Sequence, residues 1–280
     1  MSVSVTKRRI APEFARYDGF IFDLDGTIYL GERLIPGALE TVQTLRAHGR
    51  RVMFLSNKPL ERRGDYARKL KRLGIPADER DVINSGYVLA RYLRANYPEA
   101  RVYSMGEPPL LEEYRDHGIH LLSEDEAMTG AVDIVVATFD RTLTYKKLQA
   151  AFNGLKAGAR FFATNSDRTC PVEDGELPDA AGVIAFLEAT TGRKVELIAG
   201  KPNPLMVEAA AEVMGLPPER CLMAGDRLET DMRMGLEAGM GAAAVLSGVS
   251  TREEAEAFAR RMGEAGSRLH IIASVAALIE

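Results

Sequence analysis

Asp23 and Asp25, in Asp23-Leu24-Asp25-Gly26-Thr27, are two carboxylates one residue apart that directly follow the apolar run Phe20-Ile21-Phe22. At the end of a buried strand a turn can aim both at a common point, and Gly26 lets the backbone approach a ligand closely. Two carboxylates held together away from water are costly unless a cation or a proton compensates. The competing reading is a cap or a turn, where Asp and Gly are common. A second acidic segment, Gly225-Asp226-Arg227-Leu228-Glu229-Thr230-Asp231, again ends an apolar run in an Asp. Asp231 is expected in the first turn of the next helix, where the dipole favours a negative side chain. Ser56-Asn57 follows another apolar run, and Lys201 stands between Gly200 and Pro202 ahead of a helical pattern. Lys201 belongs to no GxxxxGK[ST] loop, and Gly239-Met240-Gly241 precedes a strand instead of following one, which excludes a dinucleotide fingerprint.

These residues need elements to position them. Short apolar runs alternate with amphipathic segments along the chain, which argues for a parallel sheet with helices on both faces. Strands are predicted over 20–22, 52–55, 221–224, 243–246 and 271–272. Helices are predicted with Ala38, Val42 and Leu45 on one face, with Pro59 in the first turn and Tyr66, Leu70 and Leu73 on one face, and over 204–215 with Leu205, Ala209 and Val213 inward. The middle of the chain has its own alternation: strands at 101–104, 133–136 and 161–163, helices at 109–117, 145–156 and 181–190. The expected architecture is α/β: a doubly wound parallel-sheet core of residues 1–89 and 195–280, with an inserted α/β domain over 90–194.

In this arrangement Asp23, Ser56 and Asp226 each end a strand and Lys201 precedes a helix. Ligands of open parallel sheets bind outside the carboxyl ends of the strands. Carboxylates, a hydroxyl and an ammonium gathered there suit Mg²⁺ and a phosphate, the carboxylates for the hard cation and the Lys and hydroxyl for the anion.

Composition narrows the function classes. Of 280 residues, 46% are hydrophobic and 27% charged, which fits a folded globular chain; the net charge of −4 argues against a broad nucleic-acid surface. Cys170 and Cys221 form no CxxC or zinc spacing. No apolar run approaches a membrane span, and Lys7, Arg8 and Arg9 are followed by Ala11-Pro12-Glu13 where a secretion signal needs an apolar core. The expectation is a cytosolic protein in a reducing compartment.

The ordered set Asp23-Leu24-Asp25-Gly26-Thr27, Ser56-Asn57, Lys201 and Gly225-Asp226-Arg227 with Thr230-Asp231 resembles the motif series of the haloacid dehalogenase (HAD) superfamily. The large insert between the second and third motifs resembles a class II cap. Residues 19–57, the segment around Asn84, Ala163-Thr164-Asn165 and residues 200–248 resemble the subfamily IIA phosphatases, which act on p-nitrophenyl phosphate, nucleotides, phosphoglycolate or pyridoxal phosphate. Ser56 stands where many members have Thr, which keeps the hydroxyl.

The resemblance implies a Mg²⁺-dependent phosphatase that hydrolyses a small phosphorylated metabolite through an aspartyl-phosphate. It implies Asp23 as nucleophile and Asp25 as general acid and base. It implies Mg²⁺ held by Asp23, the Asp25 carbonyl and Asp226, with Asp231 behind them, and Lys201, Ser56 and amides near Gly26 and Asn57 on the phosphoryl oxygens. Arg141 and Arg168, each in a polar segment after a cap strand, are candidates for reading the leaving group. Each can equally be a surface charge with a local Asp partner. Carbon–halide hydrolysis, which also uses an Asp nucleophile, needs no acid at the position of Asp25. A phosphotransferase or phosphomutase shares the two-Asp chemistry and stays open beside the phosphatase, as does a non-catalytic phosphate-binding module, although all four key residues stand. No nucleic-acid or membrane partner is expected, and a homodimer through the cap is left open.

Overall fold

The structure, a computed structural model, describes residues 8–172 and 175–280, so that Lys7 lies outside the described residues. Its contacts divide the chain into two compact units. The first holds the described residues up to Ser56 together with Gly64–Ile83 and Met206–Glu280; the second holds Asn57–Arg63 and Asn84–Leu205.

The first unit is built on a six-stranded sheet in the order Leu269–Ile272, Gly241–Val245, Cys221–Gly225, Gly19–Asp23, Arg51–Ser56 and Val82–Asn84. Gly19–Asp23 pairs in parallel with both of its neighbours, which sets Phe22 beside Phe54 and Ala224, and Asp23 beside Leu55. These strands read as unbroken apolar runs because helices cover both faces of a parallel sheet. Phe20, Phe22, Val52, Phe54, Leu222, Ala224, Ala243 and Val245 form one core with Ala38, Val42 and Leu45 of the helix Ala38–Ala47. The alternation of the sequence is thus realised as an α/β fold with a doubly wound sheet.

Two helix readings are corrected. The helix after Ser56 starts at Arg63, so Pro59 lies in the preceding loop and not in its first turn. In Pro204–Met214 the buried residues are Met206, Val207, Ala209, Ala210 and Met214, while Val213 is exposed. The inward stripe is rotated by about one position, and Met206, Ala210 and Met214 supply its four-residue repeat.

The second unit carries a five-stranded sheet in the order Leu197–Ile198, Arg160–Ala163, Ile134–Ala137, Arg101–Ser104 and His120–Leu121, parallel throughout. Tyr103, Val135, Ala137, Phe161 and Ala163 pack with Ala150, Leu155 and Leu187 in a core of its own. Helix Tyr145–Lys156 is started by Thr144, whose hydroxyl accepts from the Lys147 amide. The sequence reading missed an antiparallel hairpin, Thr169–Val172 with Gly175–Pro178.

The expected breaks at 89/90 and 194/195 differ from this division. Leu197–Ile198 is too short to stand out as an apolar run, yet it pairs with Arg160–Ala163 and belongs to the second unit. Segment 57–63 also sides with the second unit. Asn84 Nδ2 donates to the Glu61 carbonyl at 2.9 Å, the Arg63 guanidinium lies 3.7 Å from the centre of the Tyr87 ring, and Arg62 pairs with Asp116. Among the described residues, no helix is long and apolar enough to cross a membrane.

One ion pair closes the end of the second sheet. Arg141, past Ile134–Ala137, meets Glu107, past Arg101–Ser104, through Nε at 2.8 Å and Nη2 at 2.7 Å, and its amide adds a third bond at 2.9 Å. The Arg141 guanidinium holds the buried Glu107 carboxyl below its usual range. A carboxylate with a depressed pKa stabilises the fold fully above its unfolded value and loses that contribution as pH falls through the folded value. Arg141→Ala is therefore expected to cost about 1 kcal/mol at neutral pH, a low figure because the guanidinium is half in water. Thermal melts of the two proteins should converge as pH drops below the ordinary glutamate value of 4.5; an unchanged gap in acid would refute the pairing as its source.

Candidate active site

In the first unit the sheet delivers three carboxylates to one place. Asp23 ends its strand, and Asp226 follows the end of the adjacent strand Cys221–Gly225. Asp23, Asp226 and Asp231 offer carboxylate oxygens that all lie within 4.8 Å of one another. The three residues are 8%, 3% and 0% exposed. Like charges this close and this dry repel strongly unless a cation sits among them. An all-oxygen anionic set is what a hard divalent ion such as Mg²⁺ takes, so these residues fit that ion.

Local backbone makes the crowding possible. Asp231 does not sit in a regular α-helical first turn, as the sequence suggested. It lies in a π-helical turn, Leu228–Met232, ahead of the helix Arg233–Glu237. The wider turn carries its carboxylate back to the strand end, where Oδ2 accepts from the Arg227 amide at 3.2 Å. A β-carbon on Gly225 would strike the Asp231 side chain, so glycine there is a packing requirement. Gly26 has φ of +82° and faces Asp226 closely. Its amide donates to the Tyr29 carbonyl at 2.8 Å, so the phosphate-facing amides expected near Gly26 do not include its own.

Asp25 is half-buried, two residues past the strand, and is bridged to Tyr29. Tyr29 is buried, with the Lys69 ammonium 4.0 Å from its ring centre. Ser56 is buried at the end of Arg51–Ser56, one residue beyond the partner of Asp23, with its hydroxyl 3.4 Å from the Tyr66 hydroxyl.

Asn57 and Lys201 come together in the second unit. Asn57 Oδ1 accepts from the Lys201 amide at 2.7 Å, and its Nδ2 lies 3.4 Å from the Lys201 carbonyl. Both residues are buried. The Asn57 side chain thus grips the Lys201 backbone at both its amide and its carbonyl. Gly200 gives its amide to the Thr164 carbonyl at 2.7 Å, and a β-carbon there would collide with that carbonyl and with Asn57. The Lys201-Pro202 peptide is cis. Asn57 Nδ2 also donates to Asp167 at 3.0 Å, and Asn165 Nδ2 donates to Asp167 at 3.2 Å and to Asp179 at 2.9 Å. Burial raises the Asp179 carboxyl above its usual value.

The two arginines diverge. Arg141 is occupied by Glu107, whereas Arg168 is exposed and its carbonyl accepts from the Asp179 amide at 3.0 Å. Arg141 and Asp179 line a cavity of about 510 Å³ with Phe139, Leu177 and Val183. Sequence reasoning placed Asn165 and Asp167 in the polar segment that ends at Arg168 but missed Asp179, which Asn165 joins across 14 residues. It also missed Ser247 and Ser250, although they follow an apolar run just as Ser56 does.

Known proteins match this chain over both units. Residues 20–120 match a model described as haloacid dehalogenase-like hydrolase, and residues 198–270 match a second HAD-hydrolase-like model. The sugar-phosphatase AraL of Bacillus subtilis is 40% identical over 236 residues, covering 84% of this chain and 85% of that one. The crystal structure of a 4-nitrophenylphosphatase from Thermotoga maritima superposes with a TM-score of 0.86 at 36% identity, covering 96% of this chain and 98% of that one. A glycerol phosphate phosphatase from Mycobacterium tuberculosis, solved in complex with magnesium, gives 0.85 at 29% identity over 96% of this chain and 78% of that one. With its motif loops at the strand ends and relatives of this identity along most of its length, the chain belongs to the haloacid dehalogenase-like hydrolases, as a phosphatase of subfamily IIA.

Proposed function

We propose that the protein hydrolyses a small phosphomonoester, a sugar phosphate first among the candidates, through an aspartyl-phosphate on Asp23 and with Mg²⁺. The observation that supports this is the buried cluster of Asp23, Asp226 and Asp231, whose charge calls for a cation beside a carboxylate that can act as nucleophile. The sugar phosphatase relative and the magnesium-bound neighbour point the same way.

Asp23 attacks phosphorus and displaces the alkoxide, which splits one hard displacement into two easier steps. Asp25 gives its proton to the departing oxygen, then takes one from the water that cleaves the acyl phosphate, and Asp23 is restored as phosphate leaves. Bound by Asp23, the Asp25 carbonyl and Asp226, with Asp231 behind them, Mg²⁺ would offset the repulsion between a carboxylate nucleophile and a phosphate dianion. Lys201 and Ser56 bind phosphoryl oxygens, with Lys201 set by the Asn57 grip on its backbone. Gly26 serves by close approach of its backbone. None of these groups distinguishes one phosphomonoester from another, so Arg141 and Arg168 are left as the readers of the leaving group.

A phosphate-release assay over sugar phosphates, nucleotides, phosphoglycolate and pyridoxal phosphate, with Mg²⁺ and with chelator, tests the reading. Turnover should vanish in chelator and in Asp23→Asn, with the far-ultraviolet circular dichroism of the variant unchanged. Full activity of either would refute it.

Asp25→Asn separates the two chemical steps. On 4-nitrophenyl phosphate the leaving group needs little protonation, so the first step survives while water attack slows by about 10²–10⁴-fold. Rapid mixing should then give a burst of nitrophenolate, and acid-quenched protein should carry a phosphoryl group on the peptide containing Asp23. A linear time course without phosphoprotein would rule out this role for Asp25.

For the leaving group, Arg168→Ala should reorder kcat/KM among the natural phosphate esters and spare 4-nitrophenyl phosphate, which offers few polar groups to read. An unchanged order would remove Arg168 from the specificity site.

A further inference from the structure

Residues 247–250, just past the strand Gly241–Val245, carry interactions that neither the motif series nor the mechanism above uses. Ser247 Oγ donates to the Gly26 carbonyl at 2.8 Å. The Val249 amide donates to Asp226 Oδ2 at 3.0 Å. Ser250 Oγ donates to the Asp226 carbonyl at 2.6 Å. Gly248 lies against Asp226 so closely that a β-carbon on it would overlap the carboxylate.

This loop is short and anchored at both ends. On one side the Leu246 amide donates to the Ile272 carbonyl at 2.9 Å, which extends the sheet pairing. On the other side Thr251 caps the helix Arg252–Arg261 in a reciprocal box with Glu254. A segment so held has little freedom to drift, and its donors meet two different motif loops.

We propose that Ser247, Gly248 and Ser250 are positioning residues that hold Asp226 in its metal-binding orientation and tie it to the Asp25-Gly26 turn. The proposal rests on the Mg²⁺ phosphatase reading. A carboxylate on a single-bonded stem can rotate; a fixed amide on one oxygen and a glycine pressed against the group select one rotamer. The two hydroxyls hold the backbone of the two loops, Ser250 at Asp226 and Ser247 at Gly26. Partners of this kind, outside the direct ligands of a metal, are worth about 10–100-fold in metal affinity.

The test measures Mg²⁺ binding itself. Isothermal titration calorimetry on the full chain should show Ser247→Ala and Ser250→Ala each weakening Mg²⁺ by about 10-fold or more. The melting temperature in chelator should stay within about 2–4 °C of wild type. Ser247→Thr and Ser250→Thr keep the hydroxyl at half-buried positions and should recover most of the affinity. Gly248→Ala should lose more affinity than either serine variant, because it displaces the carboxylate directly. Saturating Mg²⁺ should return kcat in the serine variants toward wild type. Wild-type Mg²⁺ affinity in both alanine variants, beside its loss in Asp226→Asn, would overturn the proposal and leave the phosphatase reading intact. Affinity lost only in step with melting temperature in chelator would overturn it too. A wild-type protein that binds no Mg²⁺ would instead remove the reading beneath it.

Discussion

Three buried carboxylates within 4.8 Å of one another are the constraint around which the first unit is arranged. Unscreened, such a cluster would force its own protonation or its own unfolding. The fold places Asp23 at the end of one parallel strand and Asp226 just past the end of its neighbour, so their backbones are held side by side by the sheet. Gly26, Gly225 and Gly248 supply the space, since a side chain on any of them would meet Asp226 or Asp231. The stability of the strands is thus used to hold a charge arrangement that would be unfavourable alone.

The cation of the protein's own chain is handled by the opposite logic. Lys201 carries its charge on a long side chain, and Asn57 fixes the backbone from which that side chain starts. Asn57 meets the Lys201 amide and carbonyl, and Gly200 docks on Thr164. Fixing the stem at its root limits where the charge can go. Asn57 therefore has a different part from the serine that precedes it, although the two stand together in the motif.

The second unit keeps its polar groups near the ends of its own strands. The Asn165, Asp167 and Asp179 network satisfies buried acceptors, and the Glu107–Arg141 pair ties two strand ends together. Arg141 has a local acidic partner, as a surface charge would, but that partner is 34 residues away and not the adjacent Asp140. A cavity lined by Phe139 and Val183 beside Asp179 and Arg141 offers mixed apolar and polar walls, the combination that selects among small ligands.

Much was legible in the sequence because the physics was local. An apolar run that stops at Asp23, at Ser56 or at Gly225-Asp226 marks a buried strand and its carboxyl end, and parallel pairing then brings neighbouring ends together. The α/β class and the placing of Asp23, Ser56 and Asp226 at or just past strand ends followed from that pattern. What only the tertiary structure decided depends on pairings between distant segments. Leu197–Ile198 is too short to be seen as a strand until it lies beside Arg160–Ala163, which is why the unit boundary moved. The π-turn that returns Asp231 to the cluster adds a residue to a helical turn, which periodicity over five residues cannot register. The grip of Asn57 on Lys201 spans 144 residues, and the bond from Ser247 to Gly26 spans 221. A serine after a strand has the same local pattern whether it faces water or braces a carboxylate loop, and only the folded chain separates the two.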